Sequence, residues 1–480
     1  MNGQIQEQIA QLIADGRIQE ASERCASLRQ TDGGDVRTWI LSAAVCEAQG
    51  DLEAERDAIA KGLQINPHHA ELYYMLGILY RYSNINQAYL CMEQAHAYCT
   101  DGEDRALIEG EMEGLRAKGG FRVRGTSVII VSYNDKDLMR KNIEAFRREM
   151  PKGSYEIIVV DNHSNDGIAE WLRDQTDIRL IENGENVGFP VAVNIGYRAC
   201  DKENDVLLIN NDAVPAEGAL FWLRMGLYED MNVGAVSAVS NNASMQTLPD
   251  APESFEDCMA FGRTLSIPCA HPYEERARFT GFAVWIKQRA HLAVRMGKEL
   301  LDARFSPGYF EDDDLGMRIA RAGYRQLLCH NAFIYHRGGS GFFSREAELN
   351  ASREKFAEKW GFDVWGYTAL LDELLDAVTD APEKPVRVLQ LDAGMGIHLS
   401  ALKYRYPYGF FAGIEQNPVV CGLAVKTADI ICGDPETVAF PWPERFFDYI
   451  FISDVPERAK DRAAFLAKLN RYLAPGGKLI

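Results

Sequence analysis

No two of the ten cysteines form a CxxC pair, and none stands in a cysteine and histidine cluster. That excludes a disulfide frame and a zinc-ribbon site, and it reads as the reduced thiols of a cytoplasmic protein. No run approaches the ~18 apolar residues of a membrane span, so contact with a bilayer is expected to be peripheral at most. The opening MNGQIQEQIA has neither a basic segment nor an apolar stretch, which argues against secretion. Basic residues are in the minority: 51 Lys and Arg against 70 Asp and Glu leave a formal charge of −19. A nucleic-acid backbone is thereby excluded as partner, because such binding draws on clustered cations that release counterions. One small anion stays compatible, since a few backbone N–H groups or a metal suffice to hold it.

What is present is a globular composition, 47% hydrophobic and 25% charged over 480 residues, a length that suggests three domains. Residues 1–118 carry helical periodicity, with Ile5, Ile9, Leu12 and Ile13 on one face and Ala21, Cys25 and Leu28 on the next. A longer period lies over it. Gly16 and Gly50 are 34 residues apart, as are Ala54 and Ala88. Leu76-Gly77-x-x-Tyr80 and Ala88-x3-Met92-x2-Ala95 fall in the same frame. The segment resembles about two and a half tetratricopeptide repeats, although Glu55 and Gly62 stand where that repeat usually has Ala. A plain helical bundle is the alternative; either is an interaction or support module.

Near 119–125 (GGFRVRG) the pattern turns strand-like. The β-branched runs 127–131, 157–160 and 206–209, separated by helical stretches, predict a mostly parallel sheet with helices on both faces across 126–378. Ligands of such sheets bind at the carboxyl ends of the strands. The polar clusters there are SVIIVSYND, IIVVDNHSND and VLLINNDAV. A second boundary at 378–386 opens a third alternating segment, 386–480.

In order and spacing, five motifs of the middle segment resemble family 2 glycosyltransferases of the GT-A fold, in the rhamnosyl- and galactofuranosyltransferase-like branch. The resemblance implies that Tyr133, Asn134, Asp161 and Asn162 line a nucleotide pocket, although Asp161 and Asn134 also suit helix capping. In ENVGFPVAVNIGYRA, Asn186, Gly188 and Asn194 correspond to supporting residues. Asn210-Asn211-Asp212 occupies the DxD-like position, where Asn211 and Asp212 would meet the donor and Asp212 a divalent Mn2+ or Mg2+ on its diphosphate. The first acid of that motif is missing. His336, in AFIYHRGGSG, would be a further metal ligand, and Arg337-Gly-Gly-Ser-Gly a lid. In GYFEDDDLGMRIARAGYRQ four carboxylates are expected to precede a helix starting near Leu315; Asp312 aligns with the family's catalytic base, beside Glu311 and Asp314. Thr280-Gly281-Phe282 and Trp285 resemble the acceptor flank, Trp285 being either a sugar platform or core.

The third segment opens with VRVLQLDAGMGIHLSAL, then GIEQNP, Cys432-Gly433-Asp434, FDYIFISDV and LNRYLAPGGKLI. These resemble class I S-adenosylmethionine-dependent methyltransferases, implying cofactor binding by Asp392, Gly394, Gly396 and Glu415. Two departures stand out: His398 lies near the usual third glycine, and the sequence given ends at Ile480, before the closing strands of that fold. A truncated or a structural domain is therefore expected as readily as a catalytic one.

The fold class expected is multidomain α plus α/β: helical repeats, a central GT-A sheet and an incomplete Rossmann-like methyltransferase fold. The function expected is inverting transfer of a sugar from a UDP- or dTDP-sugar to a protein or glycan acceptor recruited by the repeats. The alternative is a glycan-modifying, S-adenosylmethionine-dependent methyltransferase or a bifunctional enzyme.

Overall fold

The computed structural model describes residues 2–338, 346–453 and 455–480. Its first layer is a chain of helices, Asn2–Ala14, Ile18–Asp32, Val36–Gln49, Leu52–Ile65, Ala70–Tyr80, Ile85–Tyr98 and Gly102–Arg116. Asp35, Asp51, Asn84 and Asp101 cap four of them by accepting from backbone N–H groups of the first turn. The fully buried Ala21, Ala43, Ala88 and Ala95 let these helices approach closely, as repeat packing requires.

The central sheet contains β1 (Thr126–Ser132), β2 (Tyr155–Asp161), β3 (Ile178–Glu182), β4 (Asp205–Asn210), β5 (Ala213–Pro215), β6 (Val233–Val239), β7 (Tyr273–Glu275), β8 (Ala283–Ile286) and β9 (Arg325–His336). Their order is β3-β2-β1-β4-β8-β6-β9-β5, with β7 also paired to β9. β1 runs parallel to β2 and β4, β8 antiparallel to β4 and β6, and β9 parallel to β6. The parallel register sets Ser132 beside Asp161 and Val131 beside Asn210, so the polar strand ends converge on one edge. β5 turns back so that Ala213 pairs with His336, bringing the far end of β9 to the same edge. Trp285 is 1% exposed in β8, with sheet neighbours on both sides and core around it. That rules out a sugar platform at Trp285: the centre of the sheet is covered on both faces.

The last sheet has β10 (Arg387–Leu391), β11 (Phe410–Glu415), β12 (Asp429–Cys432), β13 (Phe447–Phe451) and β14 (Leu473–Leu479), all parallel in the order β12-β11-β10-β13-β14.

Both flanking parts are welded to the central sheet. From the repeats, Gln87 Nε2 donates to the Met225 carbonyl at 3.0 Å and to Glu229 at 2.8 Å, while Tyr73 packs edge-on against Phe221. From the other side, Ser400 Oγ donates to the Glu275 carbonyl at 2.6 Å, and the Lys426 N–H to Glu275 Oε1 at 2.7 Å. A single apolar cluster joins Phe310, Met317, Phe356 and Trp360 to Met395, Ile397, Val420 and Leu423.

Candidate donor and acceptor site

The site grows from the ends of β1, β2, β4 and β9. After β1 the chain turns through Asn134 and Asp135, both left-handed at φ 61° and 65°. Asn134 ties this turn to the next one: its N–H donates to Ser164 Oγ at 2.8 Å and its Oδ1 accepts from the Asn165 N–H at 2.8 Å. Asp161 is 3% exposed; its Oδ2 accepts from the Ser164 N–H at 3.1 Å, while Oδ1 is buried with no partner among the described residues. A buried carboxylate oxygen left in that state is costly unless a ligand donates to it. Tyr133 is exposed above this turn.

Three of the amides marked in the sequence are spent inside the framework. Asn162 donates to Asn186 Oδ1 at 2.7 Å and accepts from Asn183 Nδ2 and the Val187 N–H at 3.1 and 3.0 Å, holding the 183–187 loop. Asn194 binds the backbone of Leu300 and Leu301 through both ends of its amide. Asn211 donates to the Asn134 carbonyl at 2.7 Å, fastening the β4 turn to the β1 turn. Asn142, on helix Lys136–Glu149 and outside every motif, donates to the carbonyls of Asn210 and Ala213 from a fully buried position. Its signal in the sequence is only a polar residue on an apolar helix face.

Asp212 is 4% exposed, and its Oδ1 lies 3.5 Å from His336 Nε2. The His336 ring stacks on Phe282 at 5.0 Å, and its Nδ1 meets the Asn242 carbonyl at 2.6 Å. A carbonyl only accepts, so Nδ1 carries a proton, and in the neutral tautomer this leaves Nε2 facing the Asp212 carboxylate with a lone pair. Two acceptors turned on one another suit a cation between them, so this donor set fits a divalent metal. Among the described residues no group of three His, Cys, Asp or Glu could hold a metal ion. Of the Arg337-Gly-Gly-Ser-Gly stretch, Gly339, Ser340 and Gly341 lie outside the described residues. Arg337 pairs with Asp135 at 2.6 Å, where burial raises the Asp135 carboxyl despite the guanidinium.

The acidic run sits differently from the expectation. The helix starts at Glu311 and runs to Arg321, so all four acids occupy its first turn, where the unpaired N–H groups favour negative charge. Their fates diverge. Asp314 is fully buried between Lys359, Arg318 and the Trp360 indole N–H, a structural ion cluster. Asp313 pairs with Arg278, yet burial outweighs that cation and pushes its carboxyl up to about 7. Glu311 is buried with Oε2 unpartnered among the described residues; burial first, then the Asp312 charge, raise it well above the usual carboxylate range. Asp312 is half-buried, and its Oδ2 accepts from the Gly281 N–H at 2.8 Å. An ideal Cβ on Gly281 would stand 3.0 Å from the Asp312 Cβ, so the glycine is what admits the carboxylate to that N–H. Glu311 and Asp312 share a small cleft with Phe189, Phe279, Gly281 and Leu315.

In the last sheet, Glu415 is 4% exposed at the end of β11 and accepts from the Gly394 and Asn417 N–H groups at 2.9 and 2.8 Å. Asp392 is left-handed at φ 47° and bound by Arg458 and Gln416. Gly394 has φ +57°, and a Cβ there would come within 2.7 Å of the Tyr367 carbonyl, so only glycine suits that turn. Gly396 opens helix Ile397–Arg405 at φ 77°. His398, where a third glycine was looked for, accepts from the Leu371 N–H and is thereby a support for the preceding segment.

Residues 127–250 match the family model described as glycosyl transferase family 2, and residues 389–480 match that of a methyltransferase domain. A demethylmenaquinone methyltransferase of Thermus thermophilus is 32% identical over 110 residues, 22% of this chain and 50% of that protein. The chain thus spans about half the length of that curated relative. Among solved structures, GalNAc-T7 with UDP, GalNAc and Mn2+ is similar at 13% identity and a TM-score of 0.39, over 51% of this chain and 50% of its own. A mannosyltransferase from Pyrobaculum calidifontis in complex with GDP-Man and Mn2+ is similar at 18% identity and a TM-score of 0.35, over 67% and 84%. The chain therefore joins a glycosyl transferase family 2 domain at residues 127–250 to a methyltransferase domain at residues 389–480.

Proposed function

We propose that the protein is an inverting glycosyltransferase acting on a UDP- or dTDP-sugar, with Asp312 as general base. The observation that carries this reading is the sorting of the acidic run: Asp313 and Asp314 are paired with cations, Glu311 is buried, and Asp312 alone is half-exposed at the cleft with its carboxylate aimed by the Gly281 N–H. In the reaction an acceptor hydroxyl attacks the anomeric carbon, the bond to the diphosphate oxygen breaks, and the hydroxyl proton passes to an Asp312 oxygen. Such base catalysis contributes about 100- to 10,000-fold. Asp161, with one buried oxygen unpartnered among the described residues, is suited to accept from the nucleoside, and Tyr133 to cover it. Asp212 and His336 would hold a Mn2+ or Mg2+ ion, which supplies charge neutralisation of the departing diphosphate. The repeats would recruit the acceptor, a polypeptide or a glycan.

Titrating UDP and dTDP into the protein with and without Mn2+ tests the donor site. Metal-dependent binding that Asp212→Ala abolishes supports it; a nucleotide that binds equally well without metal, or not at all, refutes it.

A second reading, methyl transfer by residues 386–480, is favoured by the braced glycine turn. Each Glu415 oxygen keeps a free lone pair for a ribose hydroxyl after its backbone bond is made. S-adenosylmethionine would supply the electrophilic methyl group, and calorimetric binding lost in Glu415→Ala is the matching test.

A further inference from the structure

His336 is held by a loop that none of the sequence motifs marks. β6 ends at Val239, paired with Phe333, so strand pairing on that side stops three residues short of His336. Two asparagine side chains continue it. Asn241 Oδ1 accepts from the His336 N–H at 2.8 Å, and Asn241 Nδ2 donates to the His336 carbonyl at 3.2 Å. Asn242 Nδ2 donates to the Arg337 carbonyl at 2.8 Å, while the Asn242 carbonyl takes the ring Nδ1–H at 2.6 Å. Backbone and ring are thus fixed together, and the Phe282 ring supports the imidazole face.

The loop that does this is itself anchored. Gln246, 3% exposed, donates to Ser237 Oγ and the Ala238 carbonyl, both at 2.8 Å, and accepts from the Thr280 N–H at 2.8 Å. Thr280 Oγ1 donates to the Ser244 carbonyl at 2.8 Å. Backbone bonds between Ser240 and Gln246, and between Leu248 and Ser240, close the base of the loop at 2.9 Å each. Thr280 directly precedes Gly281, whose N–H carries Asp312. The loop therefore spans from the base side of the cleft to the histidine, with its polar groups engaged in the framework.

We propose that loop 240–247 positions His336, Asn241 fixing its backbone and the Asn242 carbonyl its tautomer, so that a bare Nε2 meets the divalent cation beside Asp212. The proposal rests on the donor-site reading above. Asn241 and Asn242 act through His336, binding its backbone and ring and the Arg337 carbonyl; they are positioning residues. A ligand histidine whose other ring N–H is bound to a carbonyl is oriented and made more basic, and losing such a support typically costs about 10- to 100-fold in metal affinity.

Two measurements test this without any turnover assay. In metal-free protein labelled with 15N-histidine, and assigned with His336→Gln, the His336 ring should show a protonated Nδ1 and a bare Nε2. Free Mn2+, followed by electron paramagnetic resonance in the presence of UDP, should report at least about 10-fold weaker binding in Asn241→Ala, with the melting temperature unchanged. A wild-type ring protonated at Nε2 overturns the proposal. So does an Asn241→Ala protein that binds Mn2+ as tightly as wild type. Should that variant not fold, Asn241→Asp replaces it, keeping the acceptor for the His336 N–H while losing the donor to its carbonyl; the same weakening is expected. A wild-type protein that takes up no Mn2+ beside UDP removes the donor-site reading and this proposal together, whereas equal Mn2+ binding in wild type and variant removes this proposal alone.

Discussion

Asp312 and Glu311 are adjacent in sequence and differ in burial and partners, and substitution should separate them. With Asp312 as the proposed base, Asp312→Asn keeps the shape and the Gly281 contact but removes the proton acceptor, so sugar transfer should fall by about 100- to 10,000-fold while UDP affinity holds. Burial first, then the Asp312 charge, raise the Glu311 carboxyl well above the ordinary range, which favours its neutral form. Glutamine is isosteric with the protonated acid, so Glu311→Gln should retain most of the activity and Glu311→Ala should lose it through the cavity left behind. Equal loss in both variants would mean that Glu311 works as a carboxylate. Steady-state release of the nucleoside diphosphate, UDP or dTDP, from a panel of UDP- and dTDP-sugars reads all three variants.

At the scale of elements, the carboxyl ends of β1, β2 and β4 were legible because β-branched runs are local signals and the polar residues after them follow by position. Asn162 was marked for the pocket for the same reason and Asn194 as a supporting residue, and their amides bind loops 21 to 107 residues away in sequence. No local pattern encodes such partners. Asn142 and Gln246 escaped notice on identical grounds, being buried amides whose role is set by tertiary contact. The acidic helix was read as starting four residues late because a run of carboxylates resembles a solvated loop until the helix dipole is weighed against it.

Helix Leu52–Ile65 holds a further consequence of burial. Glu55 is 1% exposed with Oε1 unpartnered among the described residues, and burial, helped by Glu47, raises its carboxyl to about 7. Since this lies above the ordinary value of 4.5, the stability it contributes is fully present below about 4.5 and is lost as pH rises through about 7. Glu55→Gln should therefore raise the melting temperature at pH 8 and leave it unchanged at pH 5. A gain of the same size at both pH values would show that the carboxyl is already ionised at the lower one.

At the scale of the whole molecule, the repeats are fused to the catalytic layer and do not swing beside it. One continuous core runs from Leu72, Tyr73 and Tyr89 of the repeats through Phe221 and Trp222 to Ile130 and Leu207 of the central sheet. Across it Arg224, 4% exposed, pairs with Glu93 at 2.5 Å. Removing one partner of such a pair strands a buried charge and costs about 3–5 kcal/mol, whereas replacing both by apolar groups is often nearly neutral. Glu93→Ala should then lower the first thermal transition and raise amide exchange in both the repeat helices and helix Ala219–Leu227, while Glu93→Leu with Arg224→Met should restore both. If Glu93→Ala unfolds the repeats and spares helix Ala219–Leu227, the interface is not cooperative. A cooperative interface has a consequence for recruitment: the helix faces of Ala70–Tyr80 and Ile85–Tyr98 are already spent on helix Ala219–Leu227. An acceptor brought by the repeats must then dock on the surface they leave open, at a fixed distance and angle from Asp312.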